Sequence, residues 1–426
     1  MVRGFSYERG DPVFPSGRVT RLDANLAAIH LLKRLQGEGR EATEEEWKIL
    51  SRFSGFGAYK EVFNTVKAAM RGRPWAGPDV ESWDKTYGRF FDAFRAMLTD
   101  QEWSSAEQST LFSHYTPTEL CHGMWDVAAR AGFKGGLVYE PSVGSGMILG
   151  AMPESLRESS EVIGVEPDPI SAGMAAALYP GARIVRDFFE NAELPDDADL
   201  VLSNVPFSED PVPGKVNPER LNLHNFMIAH SLEKLRPGGL GLFITSAATL
   251  ENQGRQREVL ASKGDLLWAS RLPKTALQGS ANTEVVCDVL LMQRPARIQV
   301  AVPESFRGKR SVRLPEEGHF TYFDPDDRRE RVRDMAEVNE YFARNPDHVL
   351  GGHSLNGSMY GRPNTSGQYT VDPDGRTLAE AFDSAIESVP VAVEAETAGE
   401  SVSERVEKAY QASIERFSSR KIGSFH

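Results

Sequence analysis

The chain is short of cysteine, of long apolar runs and of positive charge, and each shortage removes a class of protein. Only two cysteines occur, Cys121 and Cys287, far apart and outside any CxxC or Cys/His cluster. That excludes a disulfide framework and a cysteine-based zinc site, and no metal is expected. No apolar run approaches the roughly 18 to 20 residues that span a bilayer. The opening MVRGFSYERGDPVF lacks the apolar stretch of a secretory signal. A cytoplasmic protein without a membrane partner is expected. With 61 acidic against 48 basic residues the net charge is -13, so the whole chain is not a polycation that coats nucleic acid. A local basic groove can still contact DNA, because one face makes the contact.

Hydrophobic residues make up 40% and charged residues 26% of 426 residues, the balance of a globular protein with a sizeable core and, by length, two or three domains or one large core with extensions. Residues 22–70 carry LDANLAAIHLLKRLQ and TEEEWKILSRF, with Leu26, Ile29, Leu32 and Leu35 at helical spacing. Thr43 followed by Glu46 predicts a capping box, and SGFGAYK is a Gly-rich break. Residues 76–135 read as helical again. From Leu137 short apolar runs alternate with helical stretches. LVYEP, VIGVEP, ARIVRDF, DLVLSNVPF and LGLFITS are five candidate strands, with helices such as PISAGMAAALYP and LHNFMIAHSLEKLRPGG between them. The second helix is expected to stop at Pro237-Gly238-Gly239. This alternation predicts a doubly wound, mostly parallel sheet. LLWASRLP and TEVVCDVLLMQRP complete it at seven strands, the last continuously apolar as a buried strand should be.

After Arg294 the pattern loosens, with AEVNEYFARNPDHVLGG predicting one helix and its stop. VAVEAETAGESVSE reads as an acidic linker and ERVEKAYQASIERF as a polar terminal helix. The expected divisions are a helical N-terminal extension (1–110), an α/β core (111–296), an irregular C-terminal extension (297–388) with a role in DNA contact or target recognition, and an acidic linker with the terminal helix (389–426).

Four sites in the core carry chemistry. Glu140-Pro141-Ser142-Val143-Gly144-Ser145-Gly146 follows the first strand, where glycines permit a tight turn and close approach of a ligand to backbone amides. An ordinary strand-to-helix turn explains the glycines equally well. Glu166 ends the second strand, some twenty residues on, where a carboxylate accepts from both hydroxyls of a ribose; Asp168 beside it reads as a helix N-cap. Without a full GxGxxG, a nucleoside lacking pyrophosphate fits better than a dinucleotide. Asp187-Phe188 follows the third strand, either as acceptor and ring for an adenine or as a solvated Asp beside a core Phe. Asn204-Val205-Pro206-Phe207 follows the fourth. Its carboxamide, the carbonyl at the Val205–Pro206 step and the ring make a platform for a planar amino group. The alternative is plain turn chemistry.

With these motifs the chain resembles the S-adenosylmethionine-dependent amino-methyltransferases, whose motif reads (Asn/Asp/Ser)-Pro-Pro-(Tyr/Phe). More closely it resembles the methyltransferase portion of phage- and plasmid-borne helicase–methyltransferases, the DarB-like antirestriction family of N6-adenine DNA methyltransferases. The likeness includes ANLAAIHLLK, SGFGAYKEVF, HYTP, EPSVGSG, GVEPDP, ALYP, NVPF, RPGGLGLFITS, RLPKTAL, NTEVVCDVLLMQR and NEYFARNPDHVLGG. It implies a Rossmann-like class I methyltransferase fold, S-adenosylmethionine as cofactor, DNA as partner and substrate, and a bacterial, phage or plasmid origin, with presence in a virion left open. By motif, Tyr115, Thr116 and Pro117 would lie near the methionine end of the cofactor. Glu140, Pro141, Gly144 and Gly146 would form its loop, Glu166 would hold the ribose, and Asp187 and Phe188 the adenine. Asn204, Val205, Pro206 and Phe207 would hold the target base. Relatives usually read Gly-x-Gly-Asn-Phe in the loop, whereas Met147 and Ile148 follow Gly146 here. They also usually continue into a superfamily 2 helicase, implied here as a separate partner. A free-standing enzyme, one half of a split pair and a piece of a longer chain all stay open.

Adenine N6 is inaccessible inside a duplex, so the target must be flipped or single-stranded. Lys215, Arg220, Arg255, Arg257, Arg271 and Lys274 are the candidate DNA contacts, and RGKRSVR, residues 307–313, is the densest basic run. Residues 328–333, where Arg is interleaved with acidic residues, read as a solvated face. Two other functions remain: methylation of a protein glutamine amide, and a methyltransferase-fold assembly module without activity.

Overall fold

The structure is a computed structural model that describes residues 2–57, 59–74, 76–110, 116–252, 254–277, 285–295, 308–324, 328–358 and 367–392. Seven runs rich in β-branched and aliphatic residues pair into one sheet. They are β1 (Gly136–Glu140), β2 (Ser160–Val165), β3 (Arg183–Val185), β4 (Ala198–Asn204), β5 (Leu235–Ser246), β6 (Asp265–Arg271) and β7 (Cys287–Gln293). The order is β3-β2-β1-β4-β5-β7-β6. β7 runs antiparallel between β5 and β6, and the other neighbours pair in parallel. This is the Rossmann-like arrangement of class I S-adenosylmethionine-dependent methyltransferases. Every residue of β1 and β7 is buried, as strands covered on both faces require. The strand order reverses between β1 and β4, and at such a switch point the carboxyl ends of the two strands open a crevice.

The N-terminal helices join the sheet's own core. Leu22, Ile29 and Leu32 of the helix Arg18–Glu38 belong to one hydrophobic cluster with Val138, Met174 and Leu242. Buried Asn25 ties that helix to the Gly-rich break, donating to Gly55 O at 2.7 Å and accepting from Ser54 N at 2.8 Å. The capping box of Thr43 and Glu46 is complete on both sides. The first residues form a strap over the loop after β1: Val2 N donates to Arg157 O, Phe5 N to Leu178 O and Tyr7 N to Gly150 O.

Two expectations shift. The helix Leu223–Lys234 stops before Pro237, because Leu235 already pairs with Ala198 in the sheet. The run AEVN is extended, not helical. It lies in β11 (Met335–Asn339), antiparallel to β8 (Lys309–Arg313), and the helix Glu340–Arg344 starts only after it. The C-terminal extension also holds the pair β9 (Phe320–Asp324) and β10 (Arg329–Arg333) and the pair β12 (Gly352–Ser354) and β13 (Thr370–Asp372). The expected terminal helix, and the acidic linker beyond residue 392, lie outside the described residues.

Arg271, expected on DNA, is instead fully buried at the end of β6. Its fork donates to both oxygens of Asp288 at 2.8 and 2.9 Å, also to Glu251, and lies 4.1 Å above the Phe342 ring. A guanidinium flanked by two carboxylates at the carboxyl edge of the sheet has no route to a phosphate. Arg257, also expected on DNA, is buried and donates to Leu250 O at 2.7 Å, and Lys274 pairs with Asp372 at 2.9 Å. The same network fastens the C-terminal extension: Glu251 accepts from Asn339 N at 3.0 Å, and Asn339 Nδ2 donates to Leu250 O at 2.9 Å. Removing one partner of a buried, paired charge leaves the other uncompensated. Arg271→Ala is therefore expected to lower the unfolding free energy by about 3 to 5 kcal/mol. Truncating the exposed Arg255 should change it by no more than about 0.5 kcal/mol; urea denaturation of the two variants reads the difference.

Candidate active site

At the end of β1 the chain turns through Gly144 at φ +54° and Gly146 at φ +87°, a region costly for any residue with a Cβ. The two glycines serve different needs. A Cβ on Gly146 would fall 2.2 Å from the Tyr179 ring, whereas nothing lies within 4 Å of one on Gly144. The bend is thus packed from below at Gly146 and open at Gly144. Met147 and Ile148, where relatives have Asn-Phe, are buried, and Tyr7 Oη donates to Met147 O at 2.6 Å. The apolar pair therefore docks the following turn onto core and strap.

Glu166 sits beside the bend. One carboxylate oxygen accepts from Gly144 N at 3.0 Å and the other from Asp168 N at 2.8 Å. Burial pushes its pKa up to about 7, and the nearby Asp168 adds to that, against the pull of the two backbone N–H groups. Glu140 is only 2% exposed, and its Oε2 makes no hydrogen bond among the described residues. Burial, with Glu166 nearby, holds its carboxyl well above the usual carboxylate range. Two carboxyls thus stand together behind the bend, both held toward the protonated form, and the Glu140 oxygen is a buried acceptor that a hydroxyl or amine donor would satisfy. Asp168 caps the helix Pro169–Leu178 through Ser171 N at 2.8 Å, as its position foretold.

The end of β3 borders Glu166, whose N–H donates to Val185 O at 3.0 Å. Asp187 Oδ1 there accepts from Phe188 N at 2.7 Å, and the Phe188 ring is 57% exposed. A large ring left in water beside the bend can stack on a flat partner.

β4 delivers Asn204 to the other side of the crevice. The Ser142 and Ser203 hydroxyls are hydrogen-bonded at 2.6 Å, and Ser142 Oγ donates to Asn204 O at 3.2 Å. The glycine bend and the Asn-Val-Pro-Phe turn therefore stand side by side. Asn204 Nδ2 donates to Thr116 Oγ1 at 3.1 Å, and Pro117 sets the start of the helix Thr118–Arg130. Tyr115 lies outside the described residues. Val205 is buried and its N–H donates to Ile244 O at 3.1 Å, extending the pairing of β4 with β5. A proline there would forfeit that bond, which accounts for valine where related motifs have proline. Phe207 is half-buried and packs against the hydrophobic clusters on both sides of the sheet.

The next segment is a built hairpin. Asn217 donates to Val212 O at 3.0 Å and Leu221 O at 2.7 Å, and accepts from Leu221 N at 2.9 Å. It carries Lys215 and Arg220, which are exposed like Arg255. Ser142, Ser203, Tyr179 and Tyr7 escaped the sequence reading. The serine in EPSVGSG was a visible hydroxyl in the turn, whereas Tyr7 meets Met147 across 140 residues and leaves no local signal.

No family model matches the chain. It is 26% identical over 249 residues to the Defense against restriction protein B of Escherichia phage P1, a match covering 56% of this chain and 11% of that protein. The chain thus spans only a small part of that relative's length, and the resemblance read from the motifs holds at this level. Among solved structures it is similar to the methyltransferase subunit of a type I restriction-modification system from Streptococcus thermophilus, with TM-score 0.37, 14% identity, and coverage of 63% of this chain and 66% of that one. A protein from Listeria monocytogenes assigned as a class I S-adenosylmethionine-dependent methyltransferase aligns with TM-score 0.39 and 14% identity over 66% of this chain and 90% of that one. Among the described residues no helix is long and apolar enough to cross a membrane.

With its pKa raised from the ordinary 4.5 to about 7, folded Glu166 holds a proton that the unfolded chain has released in between. This contribution to stability is full below the unfolded value and is lost as pH rises toward 7. Urea midpoints measured from about pH 5 to pH 8 should fall less steeply with pH in Glu166→Gln than in the parent.

Proposed function

We propose that this chain is an S-adenosylmethionine-dependent methyltransferase that methylates adenine N6 in DNA, on a flipped or single-stranded base, in a modification or antirestriction setting. The observation that carries the reading is the hydrogen-bonded contact between the glycine bend and the Asn204 turn, through Ser142 and Ser203 at 2.6 Å. It gives a donor and an acceptor one crevice in which to meet. The matched segment of the phage P1 antirestriction protein supports the setting.

The residues present fit the cofactor, which when bound supplies an electrophilic methyl group on a sulfonium. Glu166, already oriented by two backbone N–H groups, takes the ribose hydroxyls. Asp187 and the exposed Phe188 ring take the adenine. Across the crevice Thr116 accepts from the Asn204 nitrogen and orients the carboxamide, whose oxygen is the acceptor for a target amine in this reading. That oxygen and the Val205 carbonyl draw the amine's hydrogens into their plane and turn its lone pair toward the methyl, so no strong base is required. The displaced proton leaves to water. Phe207 stacks on the base, worth about 1 to 3 kcal/mol against a flipping cost of a few kcal/mol.

Transfer of labelled methyl to DNA and to protein fractions tests the reading. The wild type should label DNA, and Asn204→Ala should lose about a hundredfold or more in rate. Labelling of protein glutamine would favour the second substrate class, and undiminished DNA labelling by Asn204→Ala would overturn the catalytic assignment. Thr116→Val should lower kcat while leaving cofactor affinity unchanged, with Thr116→Ser restoring it; a loss confined to cofactor affinity would instead place Thr116 on the cofactor.

A further inference from the structure

Residues 328–333 alternate Arg with Glu and Val, and along the sequence their charges nearly cancel against the neighbouring acids. The strand period separates them. β10 pairs antiparallel with β9 in the register Arg329↔Asp324, Arg331↔Tyr322 and Arg333↔Phe320. Side chains two apart share a face, so three arginines, two aromatic rings and one Asp lie together, while Glu330 goes to the opposite face with the exposed Phe323 and Val332.

The basic face is built. Phe320 and Tyr322 stack at 6.4 Å with their planes 9° apart, and the Arg333 guanidinium lies 5.1 Å over the Tyr322 ring. Arg331 is steadied by Asp324 at 2.8 Å. Phe320 anchors this end of the ribbon on the cluster of Leu314, Ala336 and Leu355, and every residue of β10 stays exposed. The ribbon is also rooted at the correct edge. β10 leads directly into β11, whose Asn339 is bonded to Leu250 and Glu251, just beyond the carboxyl end of β5, the neighbour of β4.

We infer that the β9–β10 ribbon is a DNA-binding face, on which Arg329, Arg331 and Arg333 contact the phosphodiester backbone beside the target. Alternate strand positions lie about 6.8 Å apart, on the scale of successive phosphates, and a two-stranded ribbon is a shape that the major groove admits. The aromatic pair stiffens a short ribbon that two strands alone would hold weakly. Gathering the arginines on one exposed face gives an acidic chain a local patch to offer a polyanion. The inference rests on the proposed DNA substrate and adds a surface distinct from the crevice.

Fluorescence anisotropy with a labelled DNA duplex, and with the matching single strand, tests it on the full chain across a salt series. The triple variant Arg329→Ala, Arg331→Ala, Arg333→Ala should bind about tenfold or more weakly. Its slope of log affinity on log salt should be shallower by about 1 to 3, near 0.9 for each duplex phosphate that is no longer neutralised. The corresponding triple lysine variant should keep most of the slope. Loss on the duplex alone assigns the groove, and equal loss on both assigns the backbone of either form. Calorimetry of S-adenosylmethionine binding, expected unchanged, shows that the variants are folded. A triple alanine variant that binds with unaltered affinity and slope, beside a wild type that binds DNA, would overturn the ribbon alone. A wild type that binds neither DNA form would overturn the ribbon and the DNA substrate together, whereas absent cofactor binding would sink the methyltransferase reading first.

Discussion

Parallel pairing of β1 with β4 is the constraint on which the site depends. Backbone hydrogen bonding holds Val138 beside Leu200 and Tyr139 beside Val201, so the turns that follow the two strands cannot separate. Helices depart from the sheet in opposite directions there, and the crevice between them is left for a ligand. Ser142 and Ser203 then lock the turns to one another at side-chain level. A change in the register of either strand would break the Ser142 contact and move Asn204 away from Gly144 at once.

Around that crevice the remaining parts act as supports. The N-terminal strap reaches under the glycine bend through Tyr7, and Tyr179 fills the space that Gly146 leaves. On the other flank, the buried guanidinium of Arg271 joins β6, β7 and the helix Ala248–Glu251. Through Glu251 and Asn339 it holds the C-terminal extension against the same edge of the sheet. Apolar packing could supply the stability of such a joint. The directional fork supplies orientation, aligning an extension of short, weakly stable ribbons with the carboxyl edge.

Arginine illustrates how burial and strand period decide what charge does. Arg271 stands between Ser270 and Leu272 and Arg331 between Glu330 and Val332, and neither pair of neighbours announces its fate. The first ends a core strand, where burial demands carboxylate partners. The second lies in an exposed ribbon, where alternation sorts it from Glu330. The expected DNA contact fails for Arg271, whereas the solvated face expected around Arg331 is what β10 shows, every residue of it exposed.

Strand–helix alternation, the glycine bend, Glu166 and the Asn-Val-Pro-Phe turn were legible in the residues because each is local: a period, a backbone demand or a short motif set by its own neighbours. The seven strands, the capping box of Thr43 and Glu46, and the cap at Asp168 follow from such signals. The place of Arg271, the strand in AEVN, the Thr116–Asn204 bond and the Tyr7 strut were not, since each joins residues that only the folded sheet brings together. Sequence alone determined which chemical groups stand at strand ends, because spacing and turn chemistry are short-range. Tertiary structure decided which of them share a cleft, a core or a surface, because strand order and burial are long-range properties that no window of residues contains.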